Sequence, residues 1–87
     1  MKFPQFRRYL NGRSYFRIDG PERVSEVQVL GNFYILHDLQ AKILPDRVFI
    51  SDLIEADPDV FELIDQESYD AFLAHNAQTR TLRSMGI

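Results

Sequence analysis

Asn11-Gly12 stands between two runs rich in aromatic and β-favouring residues, 6–10 and 13–18. Both residue types tolerate positive φ, which a two-residue type I′ turn requires, so the pair predicts a tight hairpin. That turn fixes a register. Tyr9 falls opposite Ser14 and Arg7 opposite Phe16, while Arg8 and Tyr15 share the other face with Leu10 and Arg17.

Further punctuation extends the sheet. Asp19-Gly20-Pro21-Glu22 is a break, after which residues 24–30 alternate, Val27 and Val29 on one face and Glu26 and Gln28 on the other. Gly31-Asn32 offers a second tight turn into residues 33–39. There Phe33, Ile35, His37 and Leu39 share one face, and Tyr34, Leu36, Asp38 and Gln40 the other. Both faces are partly apolar, as in a strand covered on two sides. Residues 41–44 read as a possible lengthening of that fourth strand.

The period then changes. Phe49, Ile50, Leu53 and Ile54 recur at helical spacing within residues 46–56, and Pro45 suits a first helical turn. Asp57-Pro58-Asp59 ends this helix, because a residue preceding proline avoids the helical region. Residues 60–64 read as a short fifth strand. Asp65 then caps a second helix reaching Asn76, with Tyr69, Phe72 and Leu73 as its buried stripe and Glu67 in its first turn. The expected fold is therefore α+β: an antiparallel sheet of four to five strands, ordered β-β-β-β-α-β-α, with two helices on one face. A single domain spans residues 1–87, with 76–87 a loose or partner-contacting tail.

With 87 residues there is room for one core, and no cysteine to staple it. The absence of cysteine suits a reducing compartment, and no apolar run approaches membrane-spanning length. The start lacks a signal-like apolar stretch, so a cytoplasmic location is expected, with no membrane partner.

Charge is divided along the chain. Residues 1–25 carry Lys2, Arg7, Arg8, Arg13, Arg17 and Arg23 against Asp19 and Glu22, whereas residues 26–76 carry eleven carboxylates against Lys42 and Arg47. Aromatic rings are interleaved with the N-terminal cations. Arginines neutralise phosphates and exposed rings stack on unpaired bases, which makes Arg7, Arg8, Arg13, Tyr15 and Arg17 a candidate binding face. A face for single-stranded nucleic acid, a surface for an acidic protein partner and an internally complementary fold all fit. The pI of about 5.2 and the lack of a ribonucleoprotein signature argue against a dedicated nucleic-acid binder.

Other chemistry finds little support. His37 and Asp38 are sequential, so on a strand they point apart, and His75 falls near the end of the second helix. No zinc or calcium spacing emerges, the residues after Asp57-Pro58-Asp59 being apolar. The serines lack a nucleophile elbow, and the glycines are too dispersed to cradle phosphate, so no catalytic residue and no cofactor is assigned. Apolar residues on both faces of 33–39, together with Leu82, Met85 and Ile87, exceed what one small core absorbs. The expectation is a small non-catalytic interaction or regulatory domain that self-associates as a homodimer, with nucleic-acid binding as the alternative.

Overall fold

A computed structural model describes residues 2–31, 33–75 and 80–83, with His75 and residues 80–83 described by their backbone alone. The strands β1 (Gln5–Tyr9), β2 (Ser14–Gly20), β3 (Arg23–Leu30) and β4 (Phe33–Gln40) follow one another as antiparallel neighbours. Helix α1 (Leu44–Glu55), strand β5 (Phe61–Ile64), helix α2 (Gln66–His75) and strand β6 (Arg80–Arg83) complete the order.

The first hairpin keeps its expected register, Arg7 opposite Phe16 and Arg8 opposite Tyr15. Its turn differs. Among the described residues Ala56 is the one non-glycine at positive φ, so only Gly12 (φ 72°) takes that conformation here, and a type I′ turn is not formed. Instead Leu10–Arg13 loop between the strand ends. The Gly12 N–H donates to the Tyr9 carbonyl at 2.9 Å, and the Arg13 N–H to Asn11 Oδ1 at 2.8 Å. Asn11 thus acts through its side chain, as asparagine commonly does in turns. Between β3 and β4, Leu30 pairs with Phe33 and Gly31 has φ 59°, while Asn32, the other residue of the expected turn, lies outside the described residues.

Both helices start as the sequence chemistry requires. Pro45 lies in the first turn of α1, and the Asp46 carboxylate accepts the backbone N–H groups of Lys42 (3.0 Å) and Ile43 (3.4 Å). The helix therefore starts at Leu44, where a longer β4 was a possibility; β4 ends at Gln40. It closes at Ala56, in the left-handed region at φ 53°, whose N–H donates to the Asp52 carbonyl at 3.0 Å. Asp65 caps α2 by accepting the Ser68 N–H at 2.7 Å, and this bond holds its carboxyl below the usual range.

The sheet runs β5-β1-β2-β3-β4-β6. Five strands are antiparallel to their neighbours, and β6 adds to β4 in parallel. The sequence assigned no element to residues 77–87; Arg80–Arg83 form this edge strand, and 76–79 and 84–87 lie outside the described residues.

The two helices, expected on one face of the sheet, cover opposite faces instead. Tyr15 and Phe16 are successive strand residues and so point apart. Phe16 meets Phe49 of α1 with ring centroids 6.2 Å apart, whereas Tyr15 stacks on Phe72 of α2 at 3.6 Å. The cause lies in β1 and β2, which present apolar side chains both ways: Phe16 and Ile18 to α1, Phe6 and Tyr15 to α2. Strand β5 joins β1 at the sheet edge, and from there the chain passes to the second face. The main core is Phe16, Ile18, Val24, Ile50, Leu53 and Phe61 under α1. A smaller aromatic layer, in which Phe6 meets Tyr69 and Phe72 meets Tyr34, lies under α2.

Candidate functional site

The structure divides the five residues of the candidate binding face. Arg7 is 5% exposed and lies on the α1 side. Its Nε donates to the Leu53 carbonyl at 3.0 Å, its Nη2 to the Ile54 carbonyl at 3.3 Å and to Gln5 Oε1, and its Nη1 to the Phe6 carbonyl at 2.8 Å. Leu53 and Ile54 belong to the last turn of α1, where carbonyls lack helical partners and a cation is favoured. That turn has no basic residue of its own. Arg7 therefore closes the helix from beneath, and burial lowers its pKa. A guanidinium so enclosed is not available to a phosphate.

Arg8, Tyr15 and Arg17 share the opposite face, as the alternation requires. Arg8 pairs with Glu62 of β5, donates to the Tyr15 hydroxyl at 3.3 Å, and stands 5.9 Å from the Tyr15 ring centroid. The hydrogen bond to Tyr15, followed by that to Glu62, raises its pKa. Phe72 closes one side of the Tyr15 ring, with planes 12° apart. Arg17 is exposed and pairs with Asp19 two residues along at 2.9 Å. Arg13 is exposed in the hairpin loop. Tyr15 thus has an internal stacking partner, and Arg8 an internal counter-ion from the acidic half of the chain.

A second constellation lies where α1 begins. The first turns of α1 and the facing strands β3 and β4 enclose an open cleft of about 480 Å³. Val24, Leu39, Pro45 and Phe49 form its apolar walls, and Glu26, Gln28, His37 and Asp46 its polar groups. Glu26 and His37 are direct cross-strand partners, so they project side by side. Ser14 donates to Glu26 Oε2 at 2.6 Å. The nearby Tyr9 hydroxyl has its pKa raised, chiefly by burial and secondly by the Glu26 charge. The alternation placed His37 on the same face as Leu39, but only the β3–β4 pairing reveals Glu26 as its neighbour.

Outside this cleft the start of α1 bears an apolar ridge. Ile43, Leu44 and Val48 are 60%, 72% and 50% exposed, and Leu44 and Val48 are one helical turn apart. By contrast Tyr34 on β4 is buried and Ile35, Leu36 and Leu39 are half-buried, so most of the apolar excess expected on 33–39 is covered. The side chain of Leu82 and all of Met85 and Ile87 lie outside the description. Among the described residues no group of His, Cys, Asp and Glu is arranged to hold a metal, and no helix is long and apolar enough to cross a membrane.

Comparisons with protein-family models, with curated proteins and with solved structures find no match to this chain.

Proposed function

We propose that this protein is a small non-catalytic interaction domain that self-associates as a homodimer in the cytoplasm, using the ridge of Ile43, Leu44 and Val48. The exposure of these three side chains carries the reading. Large apolar groups clustered at one place on a small globule are costly in water and are characteristic of association surfaces. Two copies related by a two-fold axis would lay ridge against ridge, the usual self-complementary arrangement. Lack of cysteine suits the reducing compartment assigned.

The disposition of the cations favours this over nucleic-acid binding. Arg7 is engaged by α1 and Arg8 by Glu62, which leaves Arg13 and Arg17 as the exposed arginines of the candidate face. Light scattering after gel filtration tests the proposal, with Leu44→Asp and Val48→Asp as variants. Wild-type dimer and variant monomer support it; monomer in all three removes it.

A further inference from the structure

Strand β5 forms one end of the sheet, and among the described residues β1 is its only strand neighbour. The Leu10 N–H donates to the Val60 carbonyl at 3.1 Å, which makes these residues a bonded pair. Directly opposed residues of an antiparallel pair alternate between bonded and non-bonded. Arg8–Glu62 and Phe6–Ile64 are therefore bonded pairs and Arg7–Leu63 is not, so the Leu63 N–H and C=O point away from β1. The Phe61 carbonyl points the same way, while the Phe61 N–H donates to the Asp57 carbonyl at 2.8 Å. An edge of this kind is a template for a further strand.

Side chains around the edge determine which strand fits. Leu63 is 63% exposed and, opposite Arg7, stands on the α1 side, whereas Glu62, opposite Arg8, stands on the α2 side. Strand β5 lies within residues 48–79, which carry eight carboxylates and no lysine or arginine. Arg8 pairs with Glu62, and Asp57, Asp59 and Asp65 are exposed at the two ends of the strand. A second copy of β5 would set like charges against each other, which is unfavourable across paired strands. The hairpin cations Arg7, Arg8 and Arg17 of the chain itself are already built into β1 and β2. A complementary strand is therefore basic and comes from another protein.

We propose that the edge of β5 binds an extended basic segment of a different protein, in which apolar residues alternate with lysine or arginine. Backbone bonds to Leu63 and Phe61 align the segment, its apolar residues lie beside Leu63, and its cations meet the carboxylates that flank the strand. The edge lies by the last turn of α1, which Arg7 closes, and the apolar ridge lies at the other end of that helix. The inference therefore stands or falls separately from the homodimer.

The probe is an end-capped peptide of about six residues, a typical strand length, alternating lysine and valine, with a glutamate–valine peptide as its control. Each is titrated into the isotope-labelled protein, following backbone amide resonances by nuclear magnetic resonance. The lysine peptide should give saturable shifts at residues 61–64, slow hydrogen exchange of the Leu63 amide, and bind more weakly as salt is added. The glutamate peptide should bind about tenfold more weakly or worse, because its charges meet like charges. Leu63→Lys replaces an exposed side chain, so the fold should be kept, and it should weaken the lysine peptide about tenfold. Equal binding of the two peptides, shifts confined to other surfaces, undiminished binding to Leu63→Lys, or no shift at millimolar peptide would overturn the proposal.

Discussion

Replacing Arg7 tests the claim that a cation of the N-terminal hairpin serves the fold rather than a ligand. Its guanidinium donates to the carbonyls of Leu53 and Ile54, which the end of α1 leaves without helical partners. In Arg7→Ala these carbonyls lose their donors in a largely dry position, at about 1–3 kcal/mol each. The Phe6 carbonyl and Gln5 lose a partner as well. Relief of the guanidinium's own desolvation, the effect that lowers its pKa, offsets part of the loss. The expected net destabilisation is about 2–4 kcal/mol. A chain of 87 residues has a total stability of roughly 4–13 kcal/mol, so the change is a large share of the whole. Urea unfolding followed by circular dichroism should show the midpoint falling by about 1–3 M. Arg7→Lys, which retains charge but cannot span two carbonyls, should fall between wild type and alanine. An alanine variant within about 0.5 kcal/mol of wild type, the range of ordinary surface changes, would refute the reasoning.

The remaining predictions concern the caps, the aromatic layer and the basic face. Asp65 has a folded pKa below its unfolded value, so its stabilisation is present above the ordinary aspartate pKa of about 3.9 and is lost as pH falls through the lower folded value. Asp65→Ala should be less stable than wild type at neutral pH, and the gap should close in acid; a gap independent of pH would contradict the cap. Burial raises the pKa of Tyr69 and Tyr34, so these hydroxyls should ionise above the usual value near ~10. Their contribution is present below the unfolded pKa and lost as pH rises through the folded one, and alkaline absorbance titration should show ionisation coinciding with unfolding. A double-mutant cycle on Tyr15 and Phe72 should give a coupling of about 0.5–1.5 kcal/mol; coupling near zero would mean the rings do not stack. Fluorescence anisotropy with a short single-stranded RNA should show little binding at low salt. Tight, salt-sensitive binding abolished by Arg13→Ala and Arg17→Ala would instead restore the nucleic-acid reading.

Local chemistry in the sequence was enough for the order of the first seven elements and for several pairings. Alternation along residues 33–39 and the helical spacing of 49, 50, 53 and 54 depend on neighbours in the chain, and both agree with the structure. The hairpin register survived a change of turn type because Arg7 and Phe16 are placed by their faces as much as by the loop. Features set by distant partners were hidden. Arg7 reads as one cation among six, since the carbonyls it serves lie 46 and 47 residues away. The placement of helices on both faces required knowing that β5 joins β1 at the edge. Strand β6 has no alternation of its own and owes its conformation to the open edge of β4. The ridge on α1 was not legible because the helical period was read from residue 46 onward and residues 41–44 were open to lengthening the fourth strand, which separated Leu44 from Val48.

The charge division met first in the sequence is thus partly internal: Arg8 reaches Glu62 across the sheet, and Arg47 of α1 pairs with Glu22. The central proposal is what remains outside that internal pairing, the apolar ridge at the head of α1. Molar mass by light scattering tests it most directly, across a concentration series and with Leu44→Asp in parallel. An aspartate in the first turn suits the helix dipole, so this variant should stay folded. The account predicts a wild-type mass of about twice 10.2 kDa that falls to the single-chain value in the variant. A wild-type mass of 10.2 kDa at every concentration would contradict it.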